Sequence, residues 1–220
     1  ASGILMKYYP GVFAPFLAID RGRVRVRYLA TVGGLCLGGL GLAWLIWGSS
    51  FGRPFWFAVE RESMYLSIFR VLRGRYAPFG RDTLVFSPDE YATPLMLFAL
   101  YQAWRWSRRS RTSPRASCTL AATITLALYK VGFPQYYMLL FLTASNWFVR
   151  EFPTLRGRLP LAAACVGVFG WIGWFDLVIA SREPSPLDEW VGLPMFILMV
   201  SLVVATIAAA PRETPADEAA

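Results

Sequence analysis

Two lysines stand among twenty arginines, and the chain has no histidine. Both lysines occupy an aromatic, proline-bearing setting. One lies in Lys7-Tyr8-Tyr9-Pro10. The other opens Lys130-Val131-Gly132-Phe133-Pro134-Gln135-Tyr136-Tyr137. Each falls near the end of an apolar run. An ammonium group held in hydrocarbon is costly, so it faces a cavity or a partner. Lysine offers phosphate a point charge, and arginine offers it a fork of N–H donors. The stretch Phe57–Arg73 adds Arg61, Arg70 and Arg73. The chemistry these groups suit is the holding of an anionic head group. A phosphate that leaves with growing charge is stabilised by cations already in place. Lys7 and Lys130 are the first candidates, with Arg61 or Arg70 behind them. The plainer roles are snorkelling for the lysines and lipid-head-group contact for the arginines. Asp176 fits an interfacial hydrogen bond better than catalysis.

Other chemistries find little support. Without histidine there is no imidazole acid, base or ligand. Cys36, Cys118 and Cys165 lie in apolar stretches and form no CxxC pair, which suits small buried hydrophobes. The carboxylates show no spacing that selects a metal, so neither metal nor cofactor is expected.

The elements that must position these residues follow from composition. Of the 220 residues, 56% are hydrophobic and 16% charged, against about 25% charged in soluble domains. The runs from Tyr28 to Gly48 and from Val191 to Ala210 contain no charge. Each is about as long as a bilayer core requires. A soluble enzyme, a disordered chain and a disulfide scaffold are excluded. The expected fold is all-α, a polytopic transmembrane bundle of about seven segments. They are Gly3 to Ile19, Tyr28 to Gly48, Val85 to Trp106, Cys118 to Val131, Gln135 to Val149, Leu159 to Ala180 and Trp190 to Ala210. The fourth and fifth come from one long run that Gly132-Phe133-Pro134 breaks. Within the connection 49–84, the amphipathic stretch Phe57–Arg73 reads as an extracytoplasmic interfacial helix. Gly34 and Gly38 are spaced for close helix packing. Residues 1–210 form one membrane domain, and 211–220 a polar cytoplasmic tail.

The net charge of +8 would suit nucleic acid, but its placement argues otherwise. Arg21, Arg23, Arg25 and Arg27 fill one short loop. Arg105, Arg108, Arg109, Arg111 and Arg115 fill a second, and Arg150, Arg156 and Arg158 a third. Cations concentrated in alternate short loops are the positive-inside pattern. No nucleic-acid partner is expected. The expected location is the plasma membrane, multi-pass, with membrane lipids as partners.

The Lys7-Tyr8-Tyr9-Pro10 segment resembles the "K-x-Y-P" segment of GT-C glycosyltransferases that use polyprenyl-phosphate sugars. Leu128-Tyr129-Lys130 through Tyr137 is similar to the "K-x-x-x-P/S-Q-Y" segment of the same group. The group includes glycosyltransferase family 87 and the GPI first mannosyltransferase. The resemblance spans about Gly3 to Val149, with the last two segments matched by hydropathy alone. It implies a hexosyltransferase, with mannose the family's commonest sugar. A polyprenyl-phosphate donor on the outer face gives its sugar to a lipid, glycan or protein acceptor by inverting displacement. Lys7, Lys130, Arg61 and Arg70 would hold the donor phosphate. Tyr9, Gln135 and Tyr136 would contact sugar or donor. The family's acidic catalytic residue lies in its first outer loop, upstream of Ala1, so the chain reads as a C-terminal portion. Two other classes fit the hydropathy: a transporter or lipid flippase, and a non-catalytic membrane subunit. No inverted internal repeat supports the transporter.

Overall fold

The computed structural model describes residues 9–20, 22–53, 62–76, 88–132, 134–151, 159–179 and 190–210. A 3-10 turn, Tyr9–Phe13, leads into the short helix α1, Ala14–Leu17. The antiparallel pair β1 (Ile19–Asp20) and β2 (Arg23–Val24) turns the chain into α2, Val26–Trp47. Beyond it come β3 (Met64–Tyr65), α3 (Ile68–Tyr76), α4 (Pro88–Arg109) and α5 (Pro114–Leu128). Strand β4 (Val131–Gly132) and a 3-10 turn, Pro134–Tyr137, precede α6, Met138–Glu151. Helix α7 (Leu159–Trp174) runs into a π turn, Phe175–Ile179, and α8 spans Gly192–Ala209. The described chain is thus helical, with two two-stranded pairs.

The expected segments shift in instructive ways. Where one long span was expected over Gly3 to Ile19, the described part is a 3-10 turn and a four-residue helix. Pro10 and Pro15 explain this, because each withholds a backbone donor from a regular ladder. Of the amphipathic stretch Phe57–Arg73, residues 57–61 lie outside the described set; the remainder holds β3 and then α3, Ile68–Tyr76. The apolar side of α3 meets protein. Phe69 and Val71 are buried, and α3 packs against α4, α5 and α8.

Helix α5 is the hub. It packs against α4, α6 and α8, and every residue from Ala116 to Ala127 is buried. Its start is fixed by Ser113, whose Oγ accepts the Ala116 N–H at 3.2 Å, and by Pro114 in the first turn. Alanines such as Ala116, Ala121 and Ala122 let neighbours approach closely. Its threonines bring no orphan hydroxyls along this core: Thr119, Thr123 and Thr125 each donate to the carbonyl four residues back, at 2.8–3.0 Å. Trp147, Leu140 and Tyr137 on the α6 side join Leu161 and Val168 of α7 and Met195, Met199 and Leu202 of α8 in one apolar cluster.

Helix α2 is the opposite case. It has no buried residue, and leucines such as Leu35, Leu37 and Leu45 are exposed. Among the described residues three helical stretches are long and apolar enough to cross a membrane: Val26–Gly52, Leu159–Val178 and Gly192–Ala209. A helix apolar all round is stable where hydrocarbon replaces water, because its backbone bonds are internal.

The bundle has two distinct ends. At one, Gly22 of the β1–β2 turn sits against the Arg108 carbonyl at the close of α4, and the Thr112 and Ser117 hydroxyls pair at 2.8 Å. At the other gather β3, β4, α3, the start of α4 and the start of α8. Here Gly192 lies against the Ser67 backbone, and a Cβ on it would overlap the Ser67 carbonyl. Gly192→Ala is therefore expected to destabilise by about 1–3 kcal/mol, because neither backbone can yield cheaply. Unfolding in mixed micelles checks this, and an unchanged midpoint would count against the packing.

Candidate functional site

Lys130 lies beyond the last turn of α5, at the end where β3 meets β4. The two strands pair in parallel, Met64 with Val131 and Tyr65 with Gly132. That register sets Ser63 beside Lys130, one step before the first pair. Lys130 is buried, with 9% of its surface exposed. Asp89, in the first turn of α4, closes the group. Its Oδ2 accepts the Ser63 N–H at 2.8 Å and lies 4.0 Å from Arg73 Nη1. Arg73, on α3, forms an ion pair with Glu62 at 2.6 Å.

The four groups carry two positive and two negative charges, but they are not equally fixed. The Asp89 side chain is 11% exposed and the Glu62 side chain 61%. The Arg73–Glu62 pair is open on its carboxylate side and half-buried at the guanidinium, and a partly exposed pair of this kind contributes about 0–1 kcal/mol. Asp89 stays as the buried counter-charge to Lys130 and Arg73. The arrangement is a pair of cations steadied from below by one carboxylate and capped loosely by another.

The expected residues divide among this geometry. Lys130 is at its centre. Tyr136 is half-buried, its ring edge-on to Tyr129 with centroids 5.6 Å apart. Arg70 is half-buried on α3, one turn before Arg73, and makes no ion pair among the described residues. It is Arg73, not Arg70, that comes near Asp89. Tyr9 and Gln135 are described as backbone, and their side chains lie outside the described set, as do Lys7 and Arg61 altogether.

Asp89 and Glu62 were not among the expected site residues, and Arg73 was named only with the cations of the amphipathic stretch, not with Arg61 and Arg70 as a phosphate-holding candidate. A signal for Asp89 exists in the sequence: Ser87-Pro88-Asp89-Glu90 is a helix-start pattern, with acids suited to the positive end of the dipole. It places Asp89 at a helix terminus. It does not say which distant segment meets that terminus.

The fold defines a helical chain with membrane-length apolar helices and a buried ionic group at one end. No protein-family model, curated protein or solved structure matches the chain.

Proposed function

We propose that the chain is a multi-pass plasma-membrane glycosyltransferase, or the part of one that holds the donor lipid. In this reading seven segments cross or enter the bilayer. The end bearing Gly22 and Arg108 is cytoplasmic, and the end bearing Lys130 is extracytoplasmic. Helices α5 and α6, of 15 and 14 residues, rise about 21–23 Å, short of a core about 30 Å thick. Irregular backbone below the membrane surface is tolerated where protein covers it; here β3 pairs with β4, and α3 packs on β3.

The observation that carries the reading is the buried Lys130 flanked by Asp89, with Arg73 alongside. A polyprenyl-phosphate hexose entering here exchanges places with the exposed Glu62 and meets two cations. The acceptor hydroxyl attacks the anomeric carbon, and the bond from that carbon to the phosphate oxygen breaks. The phosphate leaves with the electron pair, and a base outside this group takes the hydroxyl proton. Lys130 and Arg73 neutralise the charge that develops on the leaving oxygen. Tyr136 borders the same turn, within reach of a neutral contact to the donor. The sugar is a hexose, with mannose as the first to test. The acceptor is an extracytoplasmic lipid, glycan or protein.

The test is sugar transfer by the full-length protein in proteoliposomes supplied with a polyprenyl-phosphate hexose. Lys130→Met is expected to lower transfer more than tenfold, a loss above about 1.4 kcal/mol in the barrier. Wild-type transfer at normal membrane levels removes Lys130 from the site. Movement of the donor lipid across the bilayer without a glycosylated product assigns the chain to the transporter class instead.

A further inference from the structure

The opposite end of the bundle carries a second concentration of charge that the transferase reading does not use. A cleft of about 330 Å³ lies between the β1–β2 turn and the last turns of α4, lined by Gly22, Arg105, Arg108 and Arg109. Gly22 has φ +78°, and a Cβ there would lie 2.9 Å from the Arg108 carbonyl oxygen. The turn is thus seated on the helix by a residue without a side chain. Among the described residues no carboxylate pairs with Arg105, Arg108 or Arg109. The nearby acid Asp20 is engaged by Arg25 at 2.6 Å. The carboxyl end of α4 contributes about half a negative charge, which three guanidinium groups exceed.

Polarity along α4 is graded. Arg108 lies over the Trp104 ring at 4.8 Å, and Arg105 over the Tyr101 ring at 5.7 Å. Trp104 is fixed by its Nε1–H donating to the Pro15 carbonyl at 3.1 Å. One helical turn further along the same side, Leu97 and Phe98 are exposed. Guanidinium, then aromatic ring, then open apolar surface is the order in which a phospholipid presents phosphate, glycerol and acyl chain.

We propose that the cleft at Gly22, Arg105, Arg108 and Arg109 binds the phosphate of an anionic phospholipid, whose acyl chain lies along Leu97, Phe98 and Tyr101. The arginine forks grip the phosphate oxygens, and the ring-stacked guanidinium groups are pre-placed for it. The proposal rests on the chain being embedded in a membrane and not on the transferase reading. Loss of lipid with unchanged sugar transfer leaves that reading intact.

The experiment is native mass spectrometry of the full-length protein released from vesicles of phosphatidylcholine mixed with phosphatidylglycerol. The wild type is expected to retain phosphatidylglycerol preferentially. Arg105→Gln with Arg108→Gln is expected to reduce that retention about tenfold or more. Arg23→Gln with Arg27→Gln removes equal charge at the same end but outside the cleft, and is expected to leave most of it. Arg105→Lys with Arg108→Lys keeps the charge and loses the fork, and is expected to fall between. Cysteine labelling from each side of the vesicle confirms that every variant keeps its orientation. Equal loss in the two glutamine pairs, or equal retention of phosphatidylcholine, overturns the proposal. Displacement of the lipid by millimolar inorganic phosphate assigns the cleft to a free anion and overturns the lipid source.

Discussion

Asp89→Asn is expected to destabilise the protein by about 3–5 kcal/mol, the usual cost of leaving a buried charge without its partner. The Asp89 carboxylate answers Lys130, the Arg73 guanidinium and the Ser63 N–H together. Asparagine keeps the shape and one acceptor but removes the charge. Lys130 is then left buried at the end of α5 without the Asp89 charge. The double variant Asp89→Asn with Lys130→Met should recover much of the loss, since removing both charges leaves nothing unpaired. Additive losses in this cycle would show that the two groups do not interact.

Trp147→Ala should produce a comparable loss by a different route. Trp147 is fully buried on α6 and stacks on Phe148 with centroids 6.0 Å apart. It belongs to the cluster formed with Leu161 and Val168 of α7 and Met195 and Met199 of α8. Truncating a buried tryptophan costs about 3–5 kcal/mol, through lost contacts and a cavity that neighbours fill only partly. In a bilayer the lost contacts count for more than hydration, because lipid is as apolar as the core. Reversible unfolding with increasing detergent denaturant reads the shift. A change below about 1 kcal/mol would mean that α6 can reseat on α7.

The helices were largely legible because hydropathy is local. Val26–Trp47 and Gly192–Ala209 fall within two residues of the runs that predict them. The break at Gly132-Phe133-Pro134 was legible because proline withholds a donor wherever it sits. The centrality of α5 was not. Its Thr and Ala residues score as only mildly apolar, and what buries them is their small size against three neighbours. Strand β3, inside the stretch read as one helix, was also not legible, because two residues are too few to leave a periodicity. In the site, Lys130 stood out as one of two lysines. Asp89 did not, because its meeting with Lys130 depends on Met64 pairing with Val131 across three intervening helices.

That pairing also dictates an order of events during synthesis. At about 5–20 residues per second, the ribosome delivers Val131 several seconds after Met64. Throughout that interval the β3 edge has no β4 to join, and Asp89 emerges ahead of the lysine it will neutralise. This end of the bundle therefore closes only once the central helix has been synthesised, and until then it stands open to quality-control factors.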